Sequence, residues 1–213
     1  MLVRDDLTLW SIADASDGGA PPSAADDALA EIARWSQDFL VPGHPELGRT
    51  GPVCPYSKPS MDRSLFFLAK VEAGDGESTA KQVLRYRDWH AELSAELSDK
   101  DRPYLTIVIV LPGFDRDDPA ELNALQARLQ GDFVAQGLMI GQFHPHCDEP
   151  GLWNSDFRPL RAPLPVLGMR TMVPFDLPFL AGNRDNVDAY LAEFAPAIPA
   201  RVRSQLSELV ARP

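Results

Sequence analysis

Four apolar positions, Leu29, Ile32, Trp35 and Phe39, recur at helical spacing, with Ser23 placed to cap the helix and Pro42 and Gly43 to end it. RSLFFLAKVEA reads as a strand, and the turn GDG leads into a long helix from Ser78 to Leu97. The stripe of that helix, Val83, Tyr86, His90, Leu93 and Leu97, turns His90 towards the core. YLTIVIVL is a nearly continuous β-branched run, as suits a central strand covered on both faces. The next helix has a marked start, with Asp118 as cap, Pro119 at the first helical position and Glu121 three after the cap. Its buried stripe is Leu122, Leu125, Leu129 and Phe133. GLMIGQFH and LPVLGMRTMV read as further strands, and two C-terminal helices are expected over Asp185 to Phe194 and Ala200 to Val210.

These elements predict an α/β (α+β) sandwich: a mixed, partly parallel sheet flanked by helices. From Tyr104 to His144 the order is strand, helix, strand, which favours parallel pairing through a right-handed crossover and leaves the full strand order open. No element is assigned to the short N-terminal piece holding Trp10. It is followed by SDGGAPPSAADD, a flexible loop around 15–24 by composition. The second irregular stretch, VPGHPELGRTGPVCPYSKPS, makes a motif-bearing loop over 41–62 that is too long for a simple connector. Loops of that length inside a compact domain tend to carry function.

Composition narrows the picture further. At 213 residues and 45% hydrophobic content, one domain spanning 1–213 can bury its core without disulfides or a structural metal. A formal charge of -11 argues against nucleic acid or an anionic membrane as the main partner. The strongest apolar run, YLTIVIVLP, has the length of a buried strand, and MLVRDDLTLW lacks a secretory apolar region, so a soluble cytoplasmic protein is expected. Cys54 and Cys147 make no disulfide framework; a bridge between the two is the lesser alternative, and buried thiol, metal ligand and redox group are the roles that suit a reducing cytoplasm.

There is no Walker loop, dinucleotide glycine fingerprint, His-Glu-x-x-His or Cys-x-x-Cys in the chain. STAK, Ser78 to Lys81, matches the Ser-x-x-Lys of penicillin-recognising enzymes, but its companion motifs are missing and Ser78 stands where a helix cap belongs. IGQFHPHCDEPGLWNSDFRPL carries more. His144 emerges beyond the carboxyl end of a strand, where open α/β sheets bind ligands. His144, His146, Cys147 and Asp148 are the most ligands this segment offers to zinc; the bland alternative is loop histidines bonded to backbone or solvent. Cys54, in GPVCPY, precedes a proline, a pattern seen where a thiolate binds haem iron, against the alternative of a small buried hydrophobe. Arg158, Arg161 and Arg170, with Asn154 just before them, suit carboxylate binding, against pairing with the surplus acids; Arg170, amid an apolar strand, is expected to be buried and partnered. His90 is either an axial ligand or a core histidine with one hydrogen bond.

PGHPELGRTGPVCPY, GQFHPHCDEPGLWNSDFRPLRAPLPVLGMR and FDLPFL together resemble an uncharacterised bacterial domain family with this Cys-Pro and Phe-His-Pro pattern. A second uncharacterised family, with Leu-Cys-Pro-Phe early and Ser-Phe-His-Pro, Asn and Ser-Pro-x-Pro later, is distantly similar. The resemblance spans roughly Trp35 to Leu180, and its matched positions are Cys54, Pro55, His144, Pro145, Asn154, Arg158 and Arg170. The group is similar to haem-dependent enzymes of antibiotic pathways that join a nitrite-derived nitrogen to an amino acid. That resemblance implies a haem oxidoreductase acting on a small nitrogenous or carboxylated metabolite, with a ferredoxin-type electron donor. His144 or Cys54 would be the iron ligand, with His90 third. Arg158, Arg161 and Arg170 would hold propionates or a substrate carboxylate, Phe143, Trp153 and Tyr56 would wall the pocket, and His144, Arg158 and Asn154 would serve catalysis. Two rivals stand beside it: a non-haem iron or zinc enzyme using His144, His146, Cys147 or Cys54 with Asp148, and a non-enzymatic module binding an anion through the arginines.

Overall fold

The computed structural model describes residues 1–16, 24–72, 74, 76–196, 205, 206 and 210. The chain opens as a hairpin, β1 (Leu2–Arg4) and β2 (Leu7–Ser11), then forms α1 (Ile12–Ser16) and α2 (Ala24–Trp35). A π-helical turn, Ser36–Leu40, extends α2 and leads through a 3-10 turn, Pro45–Leu47, to α3 (Ser57–Asp62). There follow β3 (Phe66–Lys70), α4 (Gly76–Ala95), β4 (Thr106–Val110), α5 (Ala120–Val134), β5 (Leu138–Phe143), β6 (Val166–Thr171), α6 (Leu177–Leu180) and α7 (Arg184–Phe194). The strands make one mixed sheet in the order β1-β2-β3-β4-β6-β5, with β3 and β4 parallel and the other neighbours antiparallel. The α/β class with a partly parallel sheet is therefore as the periodicities predict.

Strand alternation sorts the core onto two faces. Ile107, Ile109, Leu167, Met169 and Ile140 pack beneath α4 and α5 against Val83, Tyr86, Leu122, Leu125 and Leu129. Phe66, Leu68, Val108, Val110 and Val166 face the other way, onto Leu29, Ile32 and Ala33 of α2. α5 starts one residue later than its sequence suggests, with Pro119 at the N-cap and no side-chain cap there, and Asp118 Oδ1 accepts from the Ala120 amide at 3.1 Å just ahead of it. Among the described residues no helix is long and apolar enough to cross a membrane.

Three expectations need correcting or setting aside. The N-terminal piece, assigned no element from sequence, is a hairpin that adds two strands: Leu7 and Leu9 alternate inward, and Asp5 takes a left-handed φ of 53° in its two-residue turn. β4 and β5 run in the same direction across the α5 crossover, yet they are not neighbours, because β6 inserts between them antiparallel to both. Burial explains the order: Val166, Leu167 and Met169 are sealed on both faces, whereas β5 has half-buried positions on one face and can occupy the edge. The loop around 15–24 with its cap Ser23 lies mostly outside the described residues, and so does most of the helix expected over Ala200 to Val210.

Candidate functional site

Two loops meet over the carboxyl end of β5 and the end of the π-helical turn. The first, 41–56, is pinned by its own backbone: Val53 donates to the Pro42 carbonyl and Cys54 to that of Leu40, each at 2.9 Å. The second, 144–165, returns from β5 to β6, and the His144 carbonyl accepts from both the Cys147 and Ala162 amides, at 3.2 and 3.3 Å. Asn154 joins the two loops. Its Nδ2 donates to the Glu46 carbonyl at 2.8 Å, while its Oδ1 accepts from the Asp156 amide at 3.0 Å. Gly48 completes the contact in a left-handed conformation, φ 78°, so close that a Cβ there would lie 2.6 Å from the Trp153 carbonyl oxygen.

The space under these loops is aromatic. Phe143 lies over the paired glycines of β5 and β6, Gly141 and Gly168, and meets Trp35 edge-on at 5.8 Å. Trp35 stacks on Phe39 at 6.0 Å, Phe39 reaches His44 and Phe157, and His44 stacks on Phe157 at 4.7 Å. Leu40, Leu47, Val53 and the half-buried Cys54 close the cluster.

His144 is 2% exposed, and its Nδ1 is sealed from solvent with no hydrogen-bond partner among the described residues. Burial, helped by nearby His146, holds its pKa below the ordinary histidine value, so the ring stays neutral with a lone pair on one nitrogen. His90 contrasts with it. Although equally buried, also held low by desolvation and likewise left with a sealed Nδ1 that has no partner among the described residues, it is anchored through Nε2 to the Leu105 carbonyl at 3.1 Å, the single hydrogen bond of a core histidine. His146 is exposed, 3.4 Å from Asp117. The Cys147 thiol is 1% exposed and pushed up by burial, hence protonated and inert. Among the described residues no group of three or more His, Cys, Asp or Glu side chains could hold a metal ion, so His144, His146, Cys147 and Asp148 do not form the ligand set their spacing invites.

The arginines also part company. Arg170 is clamped bidentately by Asp176, Nη1 at 2.8 Å and Nη2 at 2.6 Å, beneath the Tyr56 ring at 4.8 Å. Asp176 is 1% exposed and also accepts from the Val173 amide. Arg161 donates to the Cys147 carbonyl and to Asp148, each at 3.1 Å. Among the described residues Arg158 alone of the three lacks a carboxylate: its Nη1 donates to the Ser155 and Phe157 carbonyls, and its Nε is buried without a partner.

The matched positions thus fall into separate places. Arg170 pairs across the sheet with Met139, five residues before His144, which puts roughly 17 Å of extended strand between them. Cys54 and Tyr56 lie on the Arg170 side, with Cys54 also touching the aromatic cluster. Trp153, 66% exposed, stands apart from the aromatic cluster, in which Trp35 packs against both Phe39 and Phe143. His44 and Asp176 escaped the sequence reading. His44 lay visible in GHPELG, but its stacking depends on a loop contact, while the partner of Arg170 could have been sought among the acids of the following FDLPFL.

What these features define is a mixed-sheet α/β protein with a loop-built aromatic site beside a buried, neutral histidine. The chain belongs to the family described as a domain of unknown function, DUF6875, whose model matches residues 29–205. No curated protein and no solved structure matches it.

Proposed function

We propose that the protein is a haem-dependent oxidoreductase acting on a small nitrogenous or carboxylated metabolite, with His144 as the iron ligand. The observation that carries this reading is the His144 ring, buried, neutral and with Nδ1 unpartnered at the strand end next to Phe143 and the aromatic cluster, whereas His90, whose Nδ1 is also unpartnered, is tied to the Leu105 carbonyl from within α4. An uncharged imidazole lone pair is what iron takes from histidine, and an unmet ring nitrogen in the interior otherwise costs about 1–3 kcal/mol. Phe143, Trp35, Phe39 and Phe157 supply the apolar surroundings that a macrocycle requires and that exclude water. Haem, when bound, supplies one-electron and oxygen chemistry. The chain's own part is to present the neutral imidazole at a backbone-pinned strand end, keep the site dry, and hold an anionic group at Arg158. Cys54, half-buried before Pro55, is the second ligand candidate. Joining a nitrite-derived nitrogen to an amino acid, with electrons from a ferredoxin-type donor, is the finer reading and rests on the Cys-Pro and Phe-His-Pro resemblance.

The absorption spectrum tests it. Protein expressed with added iron and a haem precursor should show a Soret band that His144→Ala abolishes or shifts and Cys54→Ala leaves in place. Absence of the band from the wild type sinks the reading. If both variants keep the wild-type spectrum, the ligand assignment fails and His90 is the remaining candidate. The uncompensated Arg158 favours a second reading, a non-enzymatic module for an anionic small molecule, in which His144→Ala and Cys54→Ala would leave ligand binding intact.

A further inference from the structure

We infer that Gln126 of α5 guards the free edge of the sheet, holding β5 closed to a second copy of this chain; nothing in the inference depends on haem. It starts from the direction in which the β5 backbone points. Leu111 donates to the Pro165 carbonyl and Met172 to that of Gly137. Because bonded and non-bonded positions alternate along an antiparallel pair, β6 turns Pro165, Leu167 and Met169 towards β4, and Val166, Gly168 and Arg170 towards β5. The β5 residues bonded to β6 are therefore Met139, Gly141 and Phe143, while Leu138, Ile140 and Gln142 aim their N–H and C=O groups outwards. Among the described residues no strand other than β6 pairs with β5.

An open edge is a template for another strand unless something blunts it. The opposite edge of the sheet is blunt, since β1 has only three residues and carries Arg4. β5 has six, LMIGQF, with no charge, no proline and an unbroken register, the character of a segment that pairs with copies of itself. Gln126 is placed to stop this. It is 9% exposed and lies on the apolar stripe of α5 with Leu122, Leu125 and Leu129, where an amide is costly unless it is bonded. Its Nε2 donates to the outward carbonyl of Ile140 at 2.9 Å. In a two-fold pairing of β5 with β5 centred on Ile140, each Ile140 would face its own counterpart and Leu138 would face Gln142. The acceptor that Gln126 occupies is the middle one of that ladder.

Sedimentation velocity on the full chain tests the guard. Gln126→Met keeps the length and helix preference of the side chain and removes the donor, so it should dimerise at least about tenfold more tightly than the wild type. Adding Gln142→Pro, which deletes an outward N–H and no bond to β6, should return the double variant to wild-type behaviour. In the Gln126→Met dimer the Leu138 and Gln142 amides should exchange hydrogen more slowly than in the wild type. Equal sedimentation of wild type and Gln126→Met overturns the inference, as does association that Gln142→Pro leaves intact. A wild type that is already dimeric with protected Leu138 and Gln142 amides overturns it too. If Gln126→Met does not fold, the side-chain amide protons of Gln126 in the wild type decide: slow exchange is expected of a closed edge, and exchange as fast as that of an exposed glutamine overturns the inference.

Discussion

Removing Asp176 should cost far more stability than removing any surface acid. Its carboxylate is 1% exposed and accepts three hydrogen bonds, from Arg170 Nη1, Arg170 Nη2 and the Val173 amide, at 2.8, 2.6 and 2.8 Å. In Asp176→Ala the Arg170 guanidinium keeps the Thr171 carbonyl and the Tyr56 ring but loses its counter-ion while remaining largely buried. Breaking a buried pair by deleting one partner costs about 3–5 kcal/mol, because a charge is left uncompensated out of water. A domain of this size has about 5–15 kcal/mol in total, so the variant should lose a large part of its stability. At about 2–4 °C per kcal/mol the midpoint should drop by roughly 6–20 °C. Urea unfolding followed by tryptophan fluorescence measures the loss directly. The double variant Arg170→Met, Asp176→Leu should recover most of it, since matched apolar replacements spare both desolvations. An Asp176→Ala protein within about 1 kcal/mol of wild type would refute the argument that Arg170 serves the fold and is not held ready for a ligand.

Gly48→Ala should destabilise by about 1–3 kcal/mol, from the left-handed φ of 78° and the 2.6 Å approach of a new Cβ to the Trp153 carbonyl; a change below about 0.5 kcal/mol in urea unfolding would mean the two loops do not dock as described. Burial lowers the pKa of both His90 and His144, so the unfolded chain binds protons that the folded chain does not. Stability should therefore be full above the unfolded value of about 6.5 and fall as pH drops below it, by at most about 1.4 kcal/mol per pH unit for each ring, and His90→Gln should flatten the fall; a urea midpoint constant from pH 7.5 to pH 5 would contradict the assignment. In native protein a thiol reagent should modify half-buried Cys54 rapidly and leave Cys147 untouched until denaturant is added; a fast native reaction persisting in Cys54→Ala would show Cys147 to be accessible.

Periodic elements were readable because their burial is local in origin. The stripe of α5 and the β-branched run of β4 each state which side faces the core without reference to the rest of the chain. Strand order is a different kind of fact. LMIGQF and VLGMRT both read as strands, and the contest for the central place beside β4 is decided by which can be sealed on both faces, a comparison no single window contains. The hairpin at the N-terminus was missed because β1 and β2 are three and five residues long, too short for alternation to outweigh noise, and its turn is Asp5-Asp6 in place of the usual glycine.

The candidate site was legible as residues and not as an arrangement. His144 was found through its strand-end position, which the strand itself fixes, whereas the role of each arginine depends on a counter-ion that the sequence does not order. Arg158, Arg161 and Arg170 look alike in FRPL, LRAP and GMRTM, yet among the described residues one is held by backbone carbonyls alone, one is paired with a carboxylate at the surface and one is locked inside. The pairings follow from backbone direction. β6 runs antiparallel to β5, so every residue gained along GMRT moves away from His144, and Arg170 arrives at the far end of the sheet, where the turn after β6 brings Asp176 back beneath it. Arg158 precedes β6 and stays at the near end, in a loop whose carbonyls orient the guanidinium but carry no charge.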